Sequence, residues 1–379
     1  MRGKYEKPRP RRRWKLFLSI LLVAVMLLSA AGMGAYFYLD DMLDLITRAE
    51  VLDRSDETVD PAMLGNFEET QLPTIPTTQP VPTTSAAETT VPTEPAFIPS
   101  GKDIINVLVV GQAAREGETA HYADTMILVT VNRNTSTIHL HSFLRDTYVD
   151  MPDYKGNRCG WNRINMVYHL GWEWGGTGGA MENMNTCLKN SFGIEVDHNV
   201  EVDFEAFSKI IDLLGGVRVT LTEAEADYMN NDGKTWQEVT PGENRLFGDA
   251  ALVYARMRKA AGDYDSDIRR TERQRTVVTA LIEKLRYRSF GELQDLVKEV
   301  LPMVITNMTN EEILTCMWEI LPLLPDLKIE TGTCPIKTTY KGEIIEINGV
   351  PSSVLKYDQI RNYQLMTPIT EGYEKLPWD

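Results

Sequence analysis

Residues 16–39, LFLSILLVAVMLLSAAGMGAYFYL, are 24 consecutive side chains without a formal charge. As a helix rising 1.5 Å per residue they reach about 36 Å, enough to cross a hydrocarbon layer with some tilt. A run this apolar constrains the rest, because whatever folds in water must lie on one side of it or the other. Residues 1–15 hold Arg2, Lys4, Lys7, Arg9, Arg11, Arg12, Arg13 and Lys15 against Glu6 alone, a balance of +7. That tail stays in the cytoplasm and sends the chain after Asp40 outside. Trp14 at one end and Tyr36, Phe37 and Tyr38 at the other supply an aromatic belt. A cleaved signal peptide, cut near Ser29-Ala30-Ala31, is the rival reading, but a leader's apolar run spans only about 7–15 residues. The expectation is a single-pass protein of the cell membrane with an extracytoplasmic C-terminal domain.

Residues 40–67 mix acidic and apolar side chains, with Met42, Leu43, Leu45 and Ile46 as a weak helical stripe, and read as a juxtamembrane segment. Residues 68–100 read as a linker. Within 68–99 stand seven prolines and nine threonines, with no Lys or Arg. Such composition buries too little apolar surface to offset ordering entropy, and as polyproline II at about 3.1 Å per residue it could extend on the order of 100 Å. Residues 101–379 remain as one extracytoplasmic domain. The chain carries 39 basic and 54 acidic side chains, a net charge of −15, so beyond the basic tail the balance is −22. A surface so acidic excludes a nucleic-acid partner, which needs a broad excess of Lys and Arg. Any anion site must be a local basic cluster.

Apolar runs predict strands at 104–110, 126–131, 137–143, 200–204 and 217–221, and helical periodicity predicts helices at 181–192, 205–214, 248–254 and 271–287. Strands interleaved with helices make an α/β or α+β layered sandwich, a mixed central sheet flanked by helices. The last 90 residues read as a helix ended by prolines, a strand pair near 338–348 and a final helix near 358–366, completing the same domain. Cys159, Cys187, Cys316 and Cys334 fall outside the membrane, where disulfides persist; three pairings, or none, are compatible with the sequence.

The most concentrated chemistry lies in YARMRKAAGDYDSDIRRTERQR, residues 254–275. If the segment is extended, Tyr254, Arg256 and Arg258 share one face. Arg270, Arg273 and Gln274 share one side of a helix. Two arginine groups converging on one polyanion would suit phosphate, because a guanidinium donates two parallel hydrogen bonds and stays charged when dried. The alternative is a solvated surface on which these arginines pair with Asp263, Asp265, Asp267 and Glu272. FLRDTYV at 143–149 puts Arg145 and Asp146 at a strand end, where α/β folds hold ligands. Asp124 opens another strand and could hold Mg²⁺ through one carboxylate while phosphates supply other ligands. His139 and His141 share a strand face without a third ligand nearby. GGTGG at 175–179 has neither P-loop nor dinucleotide spacing and reads as a flexible loop.

Seven blocks in order, INVLVVGQ, ADTMILVTVN, SFLRDTYV, NRIN, GIEVDHNVEVDFEAFSKIIDLLGGV, GDAALVYARMR and RRTERQR, make the chain resemble the LytR-CpsA-Psr family of cell-wall phosphotransferases. The resemblance runs from about 104 to 285. It implies that family's mixed sheet behind one membrane helix, in a Gram-positive cell. It implies transfer of a glycopolymer from an undecaprenyl-pyrophosphate carrier to peptidoglycan with Mg²⁺ as cofactor. The family's phosphate-binding residues fall on Arg145, Arg256, Arg258, Arg270 and Gln274, and its metal aspartate on Asp124. Phe204, Phe207 and Ile211 become candidates to line a lipid cavity, as do Ile210 and Leu214.

Two positions depart from the family pattern. Ala113 stands where a second metal carboxylate is expected, and Tyr122 where an arginine precedes the DT aspartate. Arg115 and Asp146 are candidate substitutes at the substrate. These departures keep two alternatives open: a non-catalytic module that binds polyprenyl phosphates or anionic polymers, and a lipid pyrophosphate hydrolase with water as acceptor.

Overall fold

The computed structural model describes residues 42–53, 63–67, 103–112, 121–154, 158–258, 260, 266–288 and 290–372. The basic tail, the membrane span and the linker expected at 1–15, 16–39 and 68–100 lie outside these residues, as do Ala113 and Arg115. No helix among the described residues is long and apolar enough to cross a membrane. Contacts divide the chain into units at 1–45 and 46–379. In the first, residues 42–45 form a turn in which the Leu45 N–H donates to the Met42 carbonyl.

The second unit runs β1 (Thr47–Arg48), β2 (Ile104–Gln112), β3 (Ala123–Asn132), β4 (Thr137–Phe143), β5 (Tyr148–Asp150), β6 (Trp161–Arg163) and the long α1 (Ile164–Phe192). It continues with β7 (His198–Val202), α2 (Phe204–Leu213), β8 (Val217–Leu221), α3 (Glu223–Asp232), β9 (Gly242–Leu246), α4 (Gly248–Arg256) and α5 (Ser266–Leu285). Then follow α6 (Phe290–Val300), β10 (Val304–Thr306), α7 (Asn310–Ile320), β11 (Lys328–Cys334), β12 (Tyr340–Ile347), β13 (Val350–Tyr357) and α8 (Gln359–Glu371). Seven of these strands form one mixed sheet in the order β1-β10-β7-β2-β3-β4-β11. The β-branched runs of β2 and β3 pair antiparallel from Ile104↔Asn132 to Gly111↔Thr125, and β7 joins β2 in parallel, Val109 beside Val200.

Strand alternation sends Leu108, Val110, Met126 and Leu128 to one face, where α1 covers them with Val167, Leu170, Leu188 and Phe192. The other face carries Ile127, Val131, Ile138 and Leu140, sealed by Val278 and Ile282 of α5. Helices therefore cover both faces of a mixed central sheet, as expected. Asn106, buried in β2, ties three elements together. Its amide donates to the carbonyls of Glu195 and of Thr370 in α8, and its oxygen accepts from Thr130 in β3.

The structure corrects several sequence expectations. Residues 46–53 do not continue a helix: Thr47 and Arg48 add an edge strand beside β10. GGTGG is not a loop but the kink of α1, where Gly175 and Gly176 leave helical φ/ψ. Residues 50–52 lie in that kink, with the Leu52 N–H donating to Gly175 O and the Gly178 N–H to Glu50 O. A Cβ on Gly178 would meet the Glu50 carbonyl at 2.4 Å, so a larger residue would expel the segment. Tyr254 and Arg256 belong to α4, not to an extended strand. The four cysteines are free thiols.

Candidate anion site

A turn, the start of a strand and two helix ends bring the charged residues together. The Thr147 hydroxyl and N–H both donate to the Leu144 carbonyl, closing a turn straight after β4 with Arg145 and Asp146 at its corner. Asp124 is the second residue of β3. Asp267 lies in the first turn of α5 and Arg270 in the second, and Arg258 lies just beyond the end of α4. Gly248 sets the position of α4: its N–H donates to Asp212, and an added Cβ would lie 2.4 Å from the Ser208 carbonyl of α2. The two helices pack backbone to backbone there.

The Arg145 guanidinium sits at the centre, 2.9 Å from Asp267, 3.4 Å from Asp124 and 3.7 Å from Asp146. Arg258 lies 3.9 Å from the second Asp124 oxygen, Arg270 3.5 Å from Asp267, and Arg163 3.7 Å from Asp146. Four arginines thus face three aspartates. Arg270 is only 2% exposed, and its Nε and Nη1 have no hydrogen-bond partner among the described residues. Gln274, one turn on, is buried with its Oε1 equally unpartnered. A buried guanidinium without acceptors is costly, which argues for a ligand that supplies oxygens, while the Gln274 oxygen calls for a donor.

The pKa directions follow from this crowding. Burial, followed by the hydrogen bond with Asp267, raises the Asp146 carboxyl to about 6. Burial also works against the Asp267 anion, but Arg270, the Asp146 hydrogen bond and Arg145 outweigh it, and its pKa falls. Burial lowers Arg270 to about 10, helped by Arg145 and Arg258 and opposed by Asp267. Below about pH 6, where Asp146 holds its proton, four cations meet two anions in an otherwise acidic body.

Several expected residues sit elsewhere. Arg256 does not join the cluster: as the last residue of α4 it is exposed, its guanidinium 4.3 Å from the centre of the Phe204 ring. Arg273 separates from Arg270 and Gln274, donating to Glu225 at 2.7 Å and to the Met257 carbonyl at 3.0 Å. Ile211 is fully enclosed in a core with Val217 and Leu246, and Phe207 packs against that core, so Ile211 lines no cavity. Tyr122 turns an aromatic ring toward His169, centroids 4.7 Å apart, where the family pattern has a cation. Arg163 is the residue that the sequence does not single out, while Asp267, expected as a surface partner of the arginines, instead pairs with Arg145 and Arg270 inside the cluster. Arg163 lies in NRIN, a block with no charge pattern of its own.

An apolar bed adjoins the cluster. Sheet register puts Val107, Val109, Val129, Val200, Val202 and Val304 on the face that α5 covers farther along, yet all six are only half buried. Asp124 stands one residue beyond the row Val202–Gly111–Thr125 that ends this strip. For a metal, no group of three or more His, Cys, Asp or Glu is assembled among the described residues. Asp124 alone fits the single-carboxylate expectation, being 30% exposed with both arginine contacts at 3.4 Å or more.

Comparison with known proteins bears on this geometry. The model of the LytR_cpsA_psr family matches residues 77–363. The chain belongs to the LytR_cpsA_psr family. A polyisoprenyl-teichoic acid–peptidoglycan teichoic acid transferase TagU of Bacillus licheniformis is 32% identical over 249 residues, 65% of this chain and 72% of that protein. The TagU of Bacillus subtilis is 34% identical over 220 residues, 58% of this chain and 63% of its own length. Among solved structures, TagT bound to LIIa-WTA has a TM-score of 0.55 at 25% identity, over 73% of this chain and 94% of TagT. TagT with bound octaprenyl pyrophosphate lipid shares the fold at a TM-score of 0.52 and 23% identity. The mixed sheet and its helices are those of LytR_cpsA_psr structures.

Proposed function

We propose that this member of the family transfers a glycopolymer from a polyprenyl-pyrophosphate carrier, undecaprenyl in the cell, to peptidoglycan at the outer face of a Gram-positive membrane. The observation that carries this reading is the meeting of Arg145, Arg258 and Arg270, distant in the chain, at the end of a half-covered apolar strip. An amphiphile with a diphosphate head and a hydrocarbon tail matches both parts. The transferase names of the curated relatives support the same reaction class.

Arg145 and Arg258 grip phosphate oxygens from the solvent side, and Arg270 with Gln274 meets them from the buried side. An acceptor sugar hydroxyl attacks the saccharide-linked phosphorus and releases its proton to solvent; the bond from that phosphorus to the bridging oxygen breaks, and lipid phosphate leaves. The arginines neutralise charge that builds on the transferring and leaving oxygens. A Mg²⁺ ion held by Asp124 would add neutralising charge at the phosphates. Asp146, protonated below about pH 6, limits the negative charge facing the head group.

The test uses the full chain in nanodiscs with a prenyl-pyrophosphate-linked saccharide, peptidoglycan and Mg²⁺. Lipid phosphate release with saccharide attached to peptidoglycan is expected, lost in Arg145→Ala and Arg258→Ala. Saccharide found only in solution would make the protein a hydrolase. Tight prenyl-pyrophosphate binding without any turnover would make it a binding module.

A further inference from the structure

A groove of about 950 Å³ runs along the outer side of α5, between that helix and the β8–β9 hairpin. Its lining on α5 extends from Glu272 to Lys284 and continues to Arg288. It is not the apolar strip. Thr331 of β11, which lines the groove, lies in the sheet row beyond Leu140, on the far side of the residues that α5 seals. The helix therefore separates the two.

The groove is lined by Arg218, Arg245, Arg275, Lys284 and Arg288, and by three glutamates. Two of the glutamates are drawn off: Glu272 accepts from Arg269 at 2.9 Å, and Glu283 pairs with Arg286 at 3.1 Å, neither arginine being part of the lining. The third, Glu292, pairs with Arg288. Glu243, on the hairpin, lies 3.8 Å from Arg218. Arg275, Arg245 and Lys284 make no ion pair with a carboxylate within the groove.

Arg275 is the built part of the site. It is 6% exposed, yet its Nε and Nη1 have no hydrogen-bond partner among the described residues. A buried guanidinium on the groove wall with two unmet donors is costly to the protein, and an acceptor brought to that wall would relieve it. Nine residues along the helix, Lys284 donates to the carbonyls of Gly215 and Gly216, and burial, then the neighbouring Arg245, Arg288 and Arg218, lower its pKa. The two stations are about 14 Å apart along the helix axis.

We propose that this groove is a second anion site, separate from the Arg145 cluster, that holds an extended chain bearing several phosphate groups, one at Arg275 and another at Lys284 and Arg245. The inference does not depend on transfer at the first site. A polymer of phosphodiesters matches two cationic stations joined by a partly apolar wall; a single small anion matches only one of them.

The probe is a six-repeat oligo(glycerol phosphate), titrated calorimetrically into the full chain in nanodiscs, with inorganic phosphate as a second arm. The oligomer should bind more tightly than phosphate, and Arg275→Gln should weaken it about tenfold, the scale of one charge-assisted hydrogen bond. Because Arg275 is buried, the paired exposed substitution Arg218→Gln with Arg245→Gln gives an independent reading and should weaken binding several-fold, with a shallower salt dependence. Arg145→Gln should leave this binding within twofold. The proposal is overturned if inorganic phosphate binds as tightly as the oligomer. It is equally overturned if the hairpin pair leaves the affinity unchanged, or if Arg145→Gln abolishes oligomer binding.

Discussion

At the scale of single residues, Asp146 is the group whose charge changes nearest neutrality. Its folded pKa of about 6 lies above the ordinary 3.8, so between those values the unfolded chain is ionised while the folded chain keeps its proton. The stability this contributes is present below about pH 4 and is lost as the pH rises through about 6. Asp146→Asn, neutral throughout, should gain melting temperature relative to the parent on going from pH 5 to pH 7.5. Calorimetric scans at both values check it, and equal shifts would mean that Asp146 ionises normally. Arg256 and Arg258 make a second test at this scale. Removing Arg258 deletes a cation 3.9 Å from Asp124, so Arg258→Ala should weaken inorganic pyrophosphate about 10–100-fold, the range expected for a charged hydrogen-bond partner. Arg256→Ala should change it by less than about twofold, since that guanidinium lies over Phe204 and an exposed cation contributes little. The sequence reading put both arginines on one face because it took the segment as extended. The residues are two apart, but Arg256 ends the helix while Arg258 follows the extended Met257, so the two side chains do not share one strand face.

At the scale of elements, α5 does most of the organising. Its Asp267 and Arg270 serve the cluster, Val278 and Ile282 seal the sheet, and Arg273 reaches back to hold α3 and α4. The Arg273–Glu225 pair is nearly buried, and Glu225 also closes the capping box of α3 on Thr222. Arg273→Ala would leave Glu225 without its cation and the Met257 carbonyl without that donor. Loss of one partner of a buried pair costs about 3–5 kcal/mol. Chemical denaturation should show that loss, and pyrophosphate binding should fall with it, because Met257 carries the chain into Arg258. Recovery in Arg273→Lys of less than half the loss would fit the two-direction contact, which one ammonium serves poorly. Helix α5 was legible from its apolar period and its arginine spacing. The first half of α1 was not, because four glycines in five residues read as a breaker. They are tolerated there because residues 50–52 fill the kink and satisfy its backbone, a contact across more than a hundred residues that no local pattern records.

At the scale of the whole molecule, the fold class was legible because strand and helix periods alternate over long runs, and both periods report burial directly. What escaped was which apolar surface stays half open. Phe204, Phe207 and Ile211 look like a cavity wall on an amphipathic helix, yet α2 spends Ile211 on its own core with β8 and β9. The half-covered surface belongs instead to the sheet, where Val109 and Val129 carry the same signature as any buried strand residue. If that strip beds the hydrocarbon tail and the arginines hold the head, the two should be separable in binding. From the row at Gly111 to that at Ile105 the strip runs six residues, about 20 Å. Affinity for prenyl pyrophosphates should therefore climb with each added prenyl unit, at up to about 0.8 kcal/mol per buried CH₂, and level off once the tail outruns the strip. Val109→Asp, a change on a half-buried site, should flatten that climb while leaving inorganic pyrophosphate within about threefold, the modest cost of one carboxylate near a screened anion. Titration of the full chain with a ladder of prenyl pyrophosphates checks both parts. An unchanged climb in Val109→Asp would place the tail elsewhere and would leave the arginine cluster as a head-group site without its neighbouring bed.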